Sequence, residues 1–136
     1  MPERFVLDAY AVLALLGDEP GADEVAGVLS TPEAELFISS INVGEVDYIL
    51  RRRSGADRAR AVEDALYKHP RIRVAEASRD RIRAVAEVKA GGGLSLGDAF
   101  AAALAREVGG ALVTGDREFD RAATRDVRVL WLPRRD

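Results

Sequence analysis

Residues 111–120 of the chain read ALVTGDREFD, in which a short apolar run leads directly to a glycine and an aspartate. Its first three residues are apolar and predict a short buried strand. The TGD that follows ends the strand, and a new helix is expected to begin at Arg117 or Glu118. A strand that runs directly into a helix is typical of open α/β sheets, in which ligands bind beyond the carboxyl ends of the strands. Asp116 therefore places a carboxylate where such a fold builds its sites.

The length and composition predict one α/β domain over residues 1–136. With 136 residues and 48% hydrophobic side chains, the chain is long enough to bury a core of its own. The absence of cysteine excludes disulfides, thiolate metal sites and cysteine nucleophiles, and favours a reducing, cytoplasmic location. The opening MPERFVLDAY reaches an acid after a few apolar residues, so we expect neither a signal peptide nor a membrane span.

Short apolar runs alternate along the chain with amphipathic segments. The runs predict strands at 5–7, 36–41, 72–75, 111–113 and 127–132, and the segments predict helices at 9–16, 22–30, 43–53, 57–69, 78–90 and 96–108. Strands that alternate with helices predict a central parallel sheet flanked by helices on both faces, with right-handed crossovers.

Positive charge is concentrated in one part of the chain. The net charge of −3 argues weakly against nucleic-acid binding, yet of the 20 Lys and Arg residues only Arg4 precedes residue 51. Arginine is abundant between 51 and 83. These side chains form either ordinary solvated helix faces or a basic rim that attracts a polyanion, and the sequence leaves both interpretations open.

Four acids have an ordinary structural explanation when each is taken alone. Asp8 and Asp116 each precede a predicted helix and are suited to cap it. The stretches SLGD at 95–98 and NVGE at 42–45 have the capping-box spacing, with the acid as the fourth residue.

The predicted topology gives these acids a shared position. All strands of a parallel sheet end at one edge, so Asp8 and Asp116 lie there together. Glu45 is expected there in the first turn of the helix that follows the second strand. Asp98 begins the helix that runs back to the strand at 111–113, so it is expected at the same edge. Four carboxylates from distant segments would then meet in one pocket.

Carboxylates that lie close together repel one another unless they are protonated or neutralised. A divalent cation relieves this repulsion, and an all-oxygen site without His or Cys selects Mg²⁺ or Mn²⁺ over zinc. One ion activates a water molecule and a second stabilises a leaving oxygen, so the set favours phosphodiester hydrolysis with one or two ions. The Thr114 hydroxyl is suited either to hold a carboxylate or a metal-bound water, or to bond the backbone at its strand end.

Four stretches of the chain share their order and spacing with a known family. They are FVLDAYAVLALL at 5–16, ISSINVGEVDYIL at 38–50, LSLGDAFAAALA at 94–105 and ALVTGDREFD at 111–120. Together they resemble the PIN-domain ribonucleases, specifically the VapC-like toxins of bacterial toxin–antitoxin pairs. The resemblance implies an endoribonuclease that cuts RNA such as tRNA or ribosomal RNA, forms a homodimer and is blocked by a small VapB-like antitoxin.

The resemblance also implies which side chains hold the metal. Asp8, Glu45, Asp98 and Asp116 match the carboxylates that hold Mg²⁺ or Mn²⁺ in the family, and Thr114 matches the hydroxyl next to the last of them.

Two departures from the family pattern leave alternatives open. Relatives often carry Ser or Thr directly after the first aspartate, where this chain has Ala9 and Tyr10. Glu118 or Asp120 is an alternative to Asp116 as the late ligand, or shares its role, or is simply an acid in the first turn of a helix.

The overall interpretation is a Mg²⁺-dependent endoribonuclease with a PIN-like α/β fold. One alternative is a non-catalytic PIN-like module for binding or assembly, which would bind an ion or a partner without cleaving RNA. A phosphoacceptor signalling domain is less favoured, because it needs a late lysine and the chain has none after Lys89.

Overall fold

In the part of the chain that the structure describes, five parallel strands form one sheet in the order β3-β2-β1-β4-β5. The computed structural model describes residues 2–120 and 124–133. The strands are β1 Arg4–Leu7, β2 Glu35–Ser39, β3 Ile72–Ala75, β4 Ala111–Thr114 and β5 Val129–Trp131. The helices are α1 Ala9–Leu16, α2 Ala22–Leu29, α3 Ser40–Ser54, α4 Ala56–Lys68, α5 Arg79–Ala90 and α6 Leu96–Val108.

The central strand β1 fixes the register of the sheet. Val6 lies opposite Phe37 of β2 on one side and opposite Leu112 of β4 on the other, both in parallel. Because every strand points the same way, the residues that follow β1, β2 and β4 emerge at one edge of the sheet. We call this the carboxyl edge.

The sheet separates two layers of apolar core. Leu7 packs with the layer formed by α1, α2, α3 and α4, whereas its neighbour Val6 packs with α5 and α6. Consecutive strand residues face opposite sides of a sheet, so this division follows from the pleat. Both faces of the sheet are therefore covered by helices, which confirms the predicted α/β architecture.

The alanine-rich helix α6 packs across β1, β2 and β4. Ala99, Ala101 and Ala102 are completely buried. Small side chains let the helix approach the sheet closely, and its first turn then lies at the carboxyl edge. No helix in the described part of the chain is long and apolar enough to cross a membrane.

The junction between β2 and α3 differs from the sequence prediction. The strand ends at Ser39 rather than at 41, and α3 begins at Ser40 rather than at 43. The Ser39 hydroxyl caps the helix by accepting a hydrogen bond from the amide of Ile41 at 3.2 Å. Ile41 is apolar and β-branched, which favoured a longer strand, but the serine pair supplies the helix cap first. Glu45 consequently lies in the second turn of α3, and the capping box predicted at 42–45 is wrong.

The segment after β4 also differs from the prediction. A single 3₁₀ turn, Arg117–Phe119, forms where an α-helix was expected. Phe119 is buried, and its carbonyl accepts a hydrogen bond from the Thr124 hydroxyl. Residues 121–123, into which the predicted helix would continue, lie outside the described part of the chain. The strand β5 is shorter than the predicted 127–132, and the remaining helices and strands agree with their predicted bounds to within one residue.

Candidate metal centre

Asp8 follows β1 at the carboxyl edge and is 3% exposed. Its Oδ1 accepts a hydrogen bond from the amide of Ala11 at 2.9 Å, so it caps α1 as its sequence position indicated. Its Oδ2 accepts a hydrogen bond from the hydroxyl of Thr114. Both carboxylate oxygens of Asp8 are thus oriented by the ends of neighbouring elements.

Thr114 ends β4 and is completely buried. Its hydroxyl donates to Asp8 and accepts from the amide of Asp116 at 3.0 Å. Both sequence interpretations of Thr114 therefore apply, since one oxygen holds a carboxylate and also bonds the backbone. The hydroxyl ties the two strand ends that carry these aspartates to each other.

Three carboxylates lie close together at this edge. Among the described residues, Asp98, Asp116 and Glu118 each offer an oxygen within 4.8 Å of the other two. Asp98 is buried, Asp116 is half-buried and Glu118 is exposed. The backbone of the 3₁₀ turn positions the last two, because the Asp116 carboxylate accepts a hydrogen bond from the Glu118 amide at 3.0 Å. Asp120 is exposed at the end of that turn and is outside this group.

Asp98 enters the group from the first turn of α6. The Ser95 hydroxyl caps this helix by accepting from the Asp98 amide at 3.2 Å, which is the first half of the predicted capping box. The carboxylate of Asp98 instead lies beside Asp116 and Glu118. Its Oδ2 is buried and has no hydrogen-bond partner in the described part of the chain. An unpartnered buried carboxylate oxygen is costly, which is typical of a site that another group completes.

Glu45 approaches the same turn of α6 from α3. Its Oε1 accepts a hydrogen bond from the side-chain amide of Asn42 at 2.6 Å. A Cβ atom at Gly97 would overlap the Glu45 carboxylate, so the two residues are in contact. Glu45 is therefore packed against the residue that precedes Asp98.

The electrostatics of the site disfavour full ionisation of these acids. Burial raises the pKa of Asp8 to about 7, although its hydrogen bonds oppose the increase. Burial, and then the charge of Asp116, raise the pKa of Asp98 to about 8. Burial and the charge of Asp116 also raise the pKa of Glu45, against its bond from Asn42. The site thus gathers more negative charge than the fold alone neutralises.

A hard divalent cation fits this arrangement. The donors are carboxylate oxygens from two segments, the first turn of α6 and the 3₁₀ turn after β4. One of these oxygens, on Asp98, is buried and unpartnered in the described part of the chain. Such oxygens suit Mg²⁺ or Mn²⁺, and a positive ion would favour the ionised acids that burial disfavours.

The comparison with known families decides the classification. The PIN domain family model matches residues 5–125. The chain belongs to the PIN domain family. No curated protein sequence matches the chain significantly.

Solved structures share the PIN fold over nearly the whole chain. Mycobacterium tuberculosis VapC20, described as a toxin that cleaves the sarcin–ricin loop, is 22% identical with a TM-score of 0.73, over 91% of this chain and 98% of that one. DNA-bound VapBC from Salmonella typhimurium is 23% identical with a TM-score of 0.71, over 96% and 98%. VapBC2 from Rickettsia felis, bound to a promoter DNA fragment, is 17% identical with a TM-score of 0.72, over 96% and 99%.

Four residues of this PIN domain lie next to the acids although their sequence positions indicated no role at the site. Asn42 and Gly97 both contact Glu45, and the Tyr10 ring packs so closely on Gly115 that a Cβ there would overlap it. The NxxE spacing was visible as a signal, but it indicated a helix cap. The two glycines carry no local signal, because the side chains that fill their space come from elsewhere in the chain.

Proposed function

We propose that this PIN domain is a metal-dependent endoribonuclease and the toxin of a toxin–antitoxin pair. The observation that carries the proposal is the Asp98 carboxylate, which is buried with one unpartnered oxygen beside Asp116 and Glu118. An acid in this position is explained by a bound cation more readily than by a structural role. The fold shared with a toxin that cleaves the sarcin–ricin loop supports RNA as the substrate.

The cation would be Mg²⁺ or Mn²⁺. Asp8, Glu45, Asp98 and Asp116 would hold it directly or through water, and Glu118 would join or replace Asp116 as the late ligand. When bound, such an ion supplies an activated water molecule and neutralises charge on the phosphodiester.

The chain's own residues prepare the site for this chemistry. Thr114 holds Asp8 in one orientation through its hydroxyl. Asp8 and Asp98 must release their protons to bind a cation, because burial gives both a pKa near or above neutrality. Exposed arginines between 51 and 83 would attract the RNA backbone towards the acidic edge.

We further propose a homodimer that is inhibited by a VapB-like antitoxin in the cytoplasm. The support is the fold shared with VapBC complexes, in which the toxin is solved with its antitoxin. Light scattering tests both proposals. The mass of the purified chain alone shows whether it is a dimer, and the mass after coexpression with a candidate antitoxin shows whether a complex forms.

The decisive experiment is cleavage of total RNA by the purified protein with Mg²⁺, with Mn²⁺ and with EDTA. Discrete fragments are expected only with metal, and Asp8→Asn and Asp98→Asn should abolish them. Asp23→Asn, an exposed aspartate on α2, is the matched control and should cleave normally. Intact RNA in every lane from folded, antitoxin-free protein would contradict general nuclease activity. Metal binding without cleavage would instead favour the non-catalytic binding module.

A further inference from the structure

Asn42 connects two helices at the candidate metal centre. It is the third residue of α3 and is 1% exposed. Its Nδ2 donates to Glu45 Oε1 at 2.6 Å and to the Gly97 carbonyl at 3.1 Å. The second bond joins residues 55 apart in the chain, so it links α3 to the first turn of α6.

The orientation of the Asn42 amide follows from its partners. Both neighbours are acceptors, so the nitrogen must face them. The Asn42 Oδ1 is then buried without a hydrogen-bond partner in the described part of the chain. A buried amide with one unpartnered end is unfavourable for folding. Its contribution to the protein must therefore lie in the two bonds that its nitrogen makes.

Gly97 provides the space that this arrangement needs. It lies inside α6, where glycine is a poor helix former, and a Cβ there would overlap the Glu45 carboxylate. Any larger residue would push Glu45 away from the first turn of α6. The carboxylate consequently lies in contact with both the Asn42 amide and Gly97.

We propose that Asn42 is a positioning residue for the metal centre, which uses the space at Gly97 to hold the Glu45 carboxylate against the first turn of α6. The inference rests on the proposed metal-dependent function. Asn42 acts through Glu45 and need not touch the ion. Partners of this kind orient metal-binding groups in other proteins, and their loss typically lowers metal affinity by about 10- to 100-fold.

The test measures the Kd for Mn²⁺ by calorimetry, in the absence of RNA. Asn42→Ala and Asn42→Asp are expected to raise the Kd by about 10-fold or more. In a Glu45→Gln background the same substitutions should change the Kd little further, because the carboxylate that Asn42 positions is already gone. Gly97→Ala places a methyl group where the Glu45 carboxylate lies, so it is expected to weaken Mn²⁺ binding as well.

A purely structural role for Asn42 predicts a different pattern. Ser39→Ala removes the cap of the same helix without touching Glu45, so it should lower the melting temperature and leave the Kd unchanged. An Asn42→Ala protein that is destabilised but binds Mn²⁺ like the wild type would overturn the inference. An Asn42→Ala substitution that raises the Kd equally in the wild-type and Glu45→Gln backgrounds would overturn it too. If Asn42→Ala does not fold, unchanged Mn²⁺ binding by a folded Gly97→Ala protein refutes the positioning of Glu45.

These outcomes are separable from those of the proposed function. A wild-type protein that binds Mn²⁺ but cleaves no RNA would contradict the nuclease, while the Kd comparison would still decide the role of Asn42. A wild-type protein that binds no Mn²⁺ would overturn both.

Discussion

Raising the pH from about 4 to about 8 without divalent ions is expected to destabilise this PIN domain, because folding buries Asp8. Burial raises the pKa of Asp8 from 3.8 to about 7. Between these values the folded protein keeps a proton that the unfolded chain has released, so the free energy of unfolding falls as the pH rises. At about 1.4 kcal/mol per pH unit over roughly three units, Asp8 alone contributes on the order of 4 kcal/mol.

Urea unfolding in EDTA at several pH values measures this effect. Trp131 is the single tryptophan, so its fluorescence reports unfolding directly. Asp8→Asn lacks this ionisable group and should show a weaker decline, and the part that remains comes from Asp98, whose pKa burial also raises. The exposed Asp23→Asn should follow the wild type. Mn²⁺ should restore stability at about pH 8, because the bound cation takes the place of the proton on the buried carboxyl group. A wild-type stability that stays level or increases between about pH 5 and pH 8 would refute the electrostatic argument.

Three further substitutions test other parts of the site. Asp98→Asn removes a buried charge, so it should raise the melting temperature of the metal-free protein at alkaline pH and abolish Mn²⁺ binding. Scanning fluorimetry measures the melting temperature and calorimetry measures the binding, and a lower melting temperature would contradict the burial of this charge. Thr114→Val leaves Asp8 and the Asp116 amide without their shared hydroxyl, and urea unfolding should show a loss of about 1–3 kcal/mol, with a neutral effect contradicting the assigned hydrogen bonds. Ser39→Ala should cost about 1 kcal/mol through loss of the α3 cap, and an unchanged unfolding midpoint would place the helix start elsewhere.

The sequence alone was sufficient for the fold and for the general location of the site. Short apolar runs predicted all five strands, and their alternation with helices predicted the parallel sheet with two covered faces. Local pattern sufficed because each of these features depends on residues that are neighbours in the chain. The approach of Asp98 to Asp116 at the carboxyl edge followed from the same topology. Asp8 and Glu45, which were predicted to share their pocket, lie outside the group of three carboxylates.

Only the tertiary structure decided how the acids are held and which of them lie closest. The hydrogen bond from Thr114 to Asp8 spans 106 residues, and the bond from Asn42 to Gly97 spans 55. Contacts at such separations leave no periodic pattern in the sequence, so a local interpretation assigned Asn42 to a helix cap. The place of Glu118 in the cluster likewise depends on contact between the 3₁₀ turn after β4 and the first turn of α6. Local propensity therefore specified the framework, and packing between distant segments specified the chemistry.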